Sequence, residues 1–217
     1  MSITPPQIPK DPTLIDDFAA YAQNFLAEEL PICEIEISKE EVEGAEFNRI
    51  EIRESFFKNC TFRSCNFEKA SFIDVIFQNC DLSGCKFSGA YFERCRFVSC
   101  KGIGLDMSDT IVKQTAFEQS NLQYTYFYKA KLLDILFEQV DFTEASLTES
   151  ELKRFTTTNS RFVKTNFFKT RLATIDFTDN EFIAPIVSTP PVELKGVIVD
   201  IYQAANLMTL WGVVVRS

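Results

Sequence analysis

Residues 45–100 read AEFNR IEIRE SFFKN CTFRS CNFEK ASFID VIFQN CDLSG CKFSG AYFER CRFVS C. The third residue of each quintet is large and apolar: Phe47, Ile52, Phe57, Phe62, Phe67, Phe72, Phe77, Leu82, Phe87, Phe92, Phe97. The first is usually small: Ala45, Ser55, Cys60, Cys65, Ala70, Cys80, Cys85, Ala90, Cys95, Cys100. The frame runs on without insertion to Phe182, giving 26 apolar centres in 28 units, with gaps only at Gly102 and Thr157. A step of five turns by roughly 140° on a helix and scatters the apolar residues around the axis. On a strand an odd step alternates faces and buries nothing consistently. A short fixed period without loops describes a solenoid, in which each unit buries its apolar residue only against stacked neighbours.

The tandem small-x-Phe/Leu-x-x pattern resembles the pentapeptide repeat proteins, and Asn66-Phe67, Asp81-Leu82-Ser83-Gly84 and Asn121-Leu122 lie close to that family's consensus. The resemblance implies an all-β fold: a right-handed quadrilateral β-helix with four quintets per turn, the centre and the small residue two before it pointing inward. It covers about two-thirds of the chain. Residues 1–31 are then an N-terminal tail and capping helix, 32–187 the β-helix, and 188–217 a linker, C-terminal helix and tail.

Seventeen of the 22 phenylalanines are repeat centres, so the aromatic excess belongs to the core. The net charge of −9 disfavours direct binding of nucleic acid or of an anionic membrane. No apolar run is long enough to span a bilayer, and the N-terminus lacks the apolar core of a signal peptide, so a cytoplasmic location is expected. Histidine is absent, as are a glycine-rich phosphate loop and a nucleophile elbow; an enzyme is the weakest reading, and no cofactor is expected. Six of the seven cysteines occupy the small inward position, with Cys60, Cys80 and Cys100 in one column and Cys65 and Cys85 in another. They read either as a metal or redox ladder or, the favoured reading, as small core fillers.

Before the repeat, residues 1–10 are proline-rich and expected to be loose. Asp11-Pro12 has the form of a helix start, and Leu14, Ile15, Phe18, Ala22, Phe25 and Leu26 recur at helical spacing, so the expected helix spans 12–29. Its expected role is to cover the open N-terminal end of the solenoid, with partner docking as the alternative. Residues 1–44 hold ten acidic and two basic side chains, whereas residues 45–184 hold 19 and 18. Within the repeat, Asp134, Glu138, Asp141, Glu144, Glu149 and Glu151 occur with no Lys or Arg between them, nearly one full turn, and form a candidate partner surface. Phe56, Ile76, Ala116 and Leu136 form an outward apolar column broken by Arg96; it marks either a contact site or edge burial by its neighbours. Tyr91, Tyr124, Tyr126 and Tyr128 also point outward. At Lys101-Gly102-Ile103-Gly104-Leu105 both inward positions break, and a kink or bulge is expected there. Phe155 and Thr157 invert the size pattern at nearly constant volume.

After Phe182 comes Asp200-Ile201-Tyr202-Gln203, a capping-box variant that opens a short helix over 201–210, followed by the β-prone tail Trp211-Gly212-Val213-Val214-Val215. Gly196-Val197, Asp200, Tyr202-Gln203-Ala204-Ala205, Leu207-Met208 and Gly212-Val213 resemble the C-terminal segment of the Qnr quinolone-resistance branch of the pentapeptide repeat family. That resemblance implies a homodimer joined head to head through this segment, and a type II topoisomerase, DNA gyrase or topoisomerase IV, as partner of a DNA-sized rod. Ile201, Ala205 and Met208, and with them Ala204 and Leu207, are expected to lie on the last coil at helical spacing. Tyr202, Leu207, Leu210, Trp211, Val213 and Val215 are the candidate dimer interface. The other reading is a structural interaction module with an unrelated partner.

Overall fold

The computed structural model describes residues 3–216. The repeat forms a right-handed quadrilateral β-helix of about nine turns. Residues 20 apart in sequence stack on successive coils in parallel register, as in Ile52↔Phe72, Phe72↔Phe92, Phe92↔Val112 and Val112↔Leu132. Central amides donate forward and the following coil donates back: Phe62 N–H to the Asp81 carbonyl at 2.7 Å, Asp81 N–H to the Cys60 carbonyl at 2.9 Å. Rings in one column stack at the rise of the ladder: Phe57–Phe77 4.9 Å, Phe77–Phe97 4.9 Å, Phe97–Phe117 4.6 Å and Phe117–Phe137 5.1 Å between centroids. Centres on adjacent faces of one coil meet near edge-on, Phe67 on Phe72 and Phe72 on Phe77. Both arrangements suit the ring quadrupole, which explains why phenylalanine dominates the column.

The corners are made locally. The residue two after a centre is left-handed at every corner from Arg49 to Thr174, for example Asn59 at φ 55° and Lys69 at φ 57°. Where an Asn or Asp precedes the centre, its side chain accepts the amide two residues on. Asn66 takes Glu68, Asp81 takes Ser83 and Asn121 takes Gln123, each at 3.1 Å. These Asx turns bend the chain with no help from the core, and they are the physical content of the Asn-Phe and Asp-Leu dipeptides.

Three expectations are corrected. The N-terminal helix does not begin at Pro12. Thr13–Ile15 is a strand paired in parallel with Ile35–Ser38, and the helix, α1, is Phe18–Glu28, capped by Asp17, which accepts the Ala20 amide at 2.9 Å. Strand addition to the open edge outweighs the weaker start signal at Asp11. The tail is also anchored: Gln7 N–H donates to Asp74 at 3.0 Å, beside the Asp74–Arg94 ion pair at 2.7 Å. Finally, there is no kink at Gly102. Its amide keeps the ladder bond to Asn121 at 2.8 Å, and Leu105 fills the vacant centre: a Cβ on Gly102 would lie 2.6 Å from Leu105 Cδ1. The two anomalies cancel within one coil.

The expected cover of the N-terminal end is present. Phe18 is 0 % exposed, and its ring lies 5.2, 5.5 and 5.7 Å from those of Phe47, Phe57 and Phe62. The cysteines at the small positions are buried free thiols whose Sγ atoms donate to main-chain carbonyls, as Cys80 does to Phe57 at 3.5 Å and Gln78 at 3.4 Å. Among the described residues no cluster could hold a metal ion, and the filler reading accounts for the geometry.

Candidate functional site

The C-terminal end is built around two polar anchors. Glu193, buried in the loop after the last full coil, accepts the Ser188 amide at 3.1 Å and the Lys169 amide at 2.8 Å, and also takes the Ser188 hydroxyl. Burial pushes its carboxyl up, but these bonds outweigh burial and hold it below the usual glutamate range. Asp200 caps helix α2, Ile201–Leu207, accepting the Tyr202 and Gln203 amides at 2.7 and 2.8 Å, while Gln203 Oε1 accepts the Asp200 amide at 2.9 Å. The expected capping box is therefore present. Gln203 Nε2 reaches past it to the carbonyls of Phe177 at 2.9 Å and Asn180 at 2.8 Å, so one side chain closes open backbone of the last coil.

That register decides which side chains face out. Positions 203 and 207, one helical turn apart, point at the solenoid, and Leu207 is 6 % exposed against its own coil. Leu207 is therefore not available as an interface residue, and Leu210 is half-buried against the core. Ile201 and Met208, expected on the last coil, face solvent instead. Tyr202, Trp211, Val213 and Val215 are exposed as expected, Trp211 at 53 %, and Val214 joins them. The result is a contiguous stretch of exposed apolar chain at one end of the rod.

The acidic belt has a different character. Asp134 is bidentate to Arg154 (2.5 and 2.7 Å), Asp141 lies 3.8 Å from Arg161, Glu144 3.9 Å from Lys164, Glu149 3.0 Å from Lys169 and Glu151 2.5 Å from Lys153. Glu138 alone of the six has no ion pair among the described residues. Four of the five partners lie 20 residues on, directly above on the next coil. Arg154 holds Asp134 below its usual range. For Asp141, burial acts upward, but bonds from Thr143 and Gln123 and the charge of Arg161 prevail and lower it. The signal for this neutralisation was in the sequence at a spacing of 20, not between the acids. Carboxylates without an ion pair concentrate at the other end: Glu28, Glu29, Glu34, Glu41, Glu43 and Glu46 are exposed, and no described residue before Glu51 joins an ion pair.

The outward apolar column is half-buried to buried, and Arg96 within it binds Glu118 at 2.7 Å, so edge burial accounts for it. Tyr124, Tyr126 and Tyr128 are exposed. No helix among the described residues is long and apolar enough to cross a membrane.

Residues 70–147 match the family model described as a pentapeptide repeat region, and residues 43–79 match that described as pentapeptide repeats (8 copies). No curated protein matches the chain. Among solved structures, two trypsin-treated variants of QnrB1, a plasmid-mediated fluoroquinolone resistance protein, are similar. One is 21 % identical with a TM-score of 0.51 and matches over 84 % of this chain and 92 % of that one. The other is 19 % identical with a TM-score of 0.53, over 84 % and 100 %. Identity at that level speaks for the fold. The quintet frame, the 20-residue coil and both family models agree, and the chain belongs to the pentapeptide repeat proteins, with a Qnr-like fold.

Proposed function

We propose that this protein is a non-catalytic, Qnr-like binding protein that acts on DNA gyrase or topoisomerase IV as a homodimer, imitating DNA at the enzyme and protecting it from fluoroquinolones. The observation that carries the reading is the exposed apolar C-terminal surface on a QnrB1-like rod. Two copies meeting there across a two-fold axis bury both tails, with Trp211 as anchor. About nine coils give a body of roughly 43 Å, and a dimer doubles that length. The unpaired carboxylates at the far end of each copy then place negative charge at both tips of the rod. The paired belt favours a second reading, a structural interaction module with an unrelated partner, because its charges are already neutralised.

A supercoiling assay separates the two. Micromolar protein is expected to inhibit gyrase or to relieve a fluoroquinolone block, less so as salt rises. No effect on either topoisomerase leaves the scaffold reading. Light scattering is expected to show a dimer, and Trp211→Glu to shift it to monomer; a wild-type chain that stays monomeric at high micromolar concentration removes the dimer from the proposal.

A further inference from the structure

The coil-to-coil ladder opens at one place. Before it, each coil is bonded to the next: Arg94 N–H donates to Lys113 at 3.1 Å, Phe142 to Arg161 at 2.8 Å and Glu149 to Phe168 at 2.9 Å. The ladder resumes at Asn159, whose amide donates to Asp179 at 2.9 Å, and at the pairing Arg161↔Glu181. In between, no backbone–backbone bond joins residues 150–158 to residues 170–178 among the described residues. The strand Glu151–Thr158 pairs with Lys131–Glu138 on one side and ends its sheet on the other. The next coil keeps its own forward bonds, Leu172 to Glu193 at 3.1 Å and Thr174 to Gly196 at 2.8 Å, so what is missing is the forward donation of Leu152 and Arg154. The gap falls at the size inversion: Phe155 stands at the inward site that holds Ser55, Val75, Cys95, Thr115 and Ile135 on the coils below, and its ring lies 5.1 Å from that of Phe137, the centre under the small Thr157. At the far end of the gap Asn180 substitutes for the ladder, donating to the Thr157 carbonyl at 3.2 Å and accepting the Ser160 amide at 3.0 Å.

The near end has no such plug. A groove of about 530 Å³ runs there between Glu149–Lys153 on one wall and Lys169, Arg171, Ala173 and Thr174 on the other, with Leu152 half-buried between. It shares Lys169 and Arg171 with a neighbouring hollow that adds Lys195. Glu149 and Glu151 are neutralised by Lys169 and Lys153, and Glu193 is taken up by Ser188 and the Lys169 amide. Arg171 and Lys195 are exposed and have no carboxylate within ion-pair distance among the described residues. On a chain of net charge −9 this is a local excess of two cations beside an unpaired strand edge.

An open parallel edge is a template for a further strand, with main-chain bonds giving affinity and flanking side chains giving selectivity. We propose that the edge at residues 151–154 docks an extended acidic segment of a partner polypeptide, which bonds to the main chain of Leu152 and Arg154 and sets carboxylates against Arg171 and Lys195. A second copy's apolar tail suits the site less well, since Arg216 follows its valines and would bring a like charge to Arg171. This surface does not use the exposed residues Tyr202, Trp211, Val213 and Val215 and stands whether or not a topoisomerase is the partner.

Amide exchange by NMR on the full chain tests it. Without peptide, Leu152 and Arg154 are expected to exchange faster than Arg94 and Phe142, whose amides are bonded forward. A nonapeptide of alternating glutamate and valine, capped at both ends, is expected to slow Leu152 and Arg154 saturably by about tenfold or more. Arg171→Glu or Lys195→Glu is expected to weaken that peptide by about tenfold at unchanged melting temperature, and Lys86→Glu, remote from the groove, to leave it alone. Four results overturn the proposal. Leu152 and Arg154 are already as slow as Arg94 in the free protein; the peptide has no effect at millimolar concentration; a lysine–valine peptide protects equally; or protection rises with protein concentration alone, which assigns the edge to a second copy.

Discussion

The two ends of the rod solve the same problem with opposite chemistry. Each exposes the cross-section of a phenylalanine-lined coil and a rim of unpaired backbone. At the N-terminal end a helix drives one aromatic residue into the opening, where Phe18 meets three rings, and a strand at Thr13–Ile15 extends the ladder. At the C-terminal end the plug is an amide: Gln203 bonds two carbonyls of the final coil, and the helix that carries it turns Ile201, Met208 and Trp211 outward. An apolar plug satisfies its own end and leaves charge on the outside. A polar plug leaves the helix's apolar residues without a place in their own chain. Charge and apolar surface are thus segregated to opposite tips, one suited to electrostatic contact and the other to self-association.

The sharpest way to break this comparison is to remove the plugs. Phe18→Ala deletes a fully buried ring from a site the short helix cannot collapse into, and is expected to lower stability by about 3–5 kcal/mol. Denaturant unfolding measures it, and exchange should show loss of protection beginning at residues 32–57. A loss below about 1 kcal/mol would mean that the helix is decoration and not a cap. Gln203→Ala leaves the Phe177 and Asn180 carbonyls without their donor, with an expected loss of about 1–3 kcal/mol and fraying confined to the last coil. If Gln203→Ala proves the more damaging of the two, the polar plug at the C-terminal end is the one that holds the rod together.

Sequence reading recovers the body of this molecule better than its ends. The quintet frame is legible because every unit repeats one local decision, a left-handed corner and an inward apolar residue, and the coil length follows from closing a square. Both anomalies within the frame were visible, but their outcomes depended on neighbours. Leu105 repairs Gly102 because it can swing into the adjacent vacancy within its own coil, whereas the exchange of Phe155 and Thr157 keeps the inward volume and still leaves the ladder open on its next-coil side. The acidic belt looked unpaired along the chain and is paired across coils, because the nearest neighbour of Asp134 is Arg154 and not Leu133. At the ends, no period constrains the chain. Asp11-Pro12 has the form of a helix start, but the open strand edge at Ile35–Ser38 takes Thr13–Ile15 and the helix begins only after Asp17. Leu207 stands in both expectations, on the last coil and at the interface, and the register that the Asp200 cap imposes turns it inward.

The smallest expected effect is also the most specific, because acid should move the two ends in opposite directions. Glu40 lies against the start of α1. Burial and the nearby charge of Asp17 raise its pKa, and the amides of Phe18 and Ala19 only partly oppose them. A glutamate raised in the folded state is protonated there while still ionised in the unfolded chain, so the N-terminal end gains stability as pH falls through the raised value toward the ordinary one near 4.5. Glu193 is the reverse case. Its folded pKa is depressed, so its contribution is full above about 4.5 and is lost as pH falls below it through the folded value. Between pH 7 and 4.5 the N-terminal end should therefore tighten slightly while the C-terminal end holds, and below 4.5 the C-terminal end should loosen first. Site-resolved NMR of α1 and of residues 188–194 across that range reads both. Glu40→Gln should abolish only the first effect, and Glu193→Gln only the second, at the expense of weaker anchoring of the loop at neutral pH. If both ends loosen together in acid, with or without these substitutions, a global charge effect governs the rod and the polar anchor at Glu193 has no separate role.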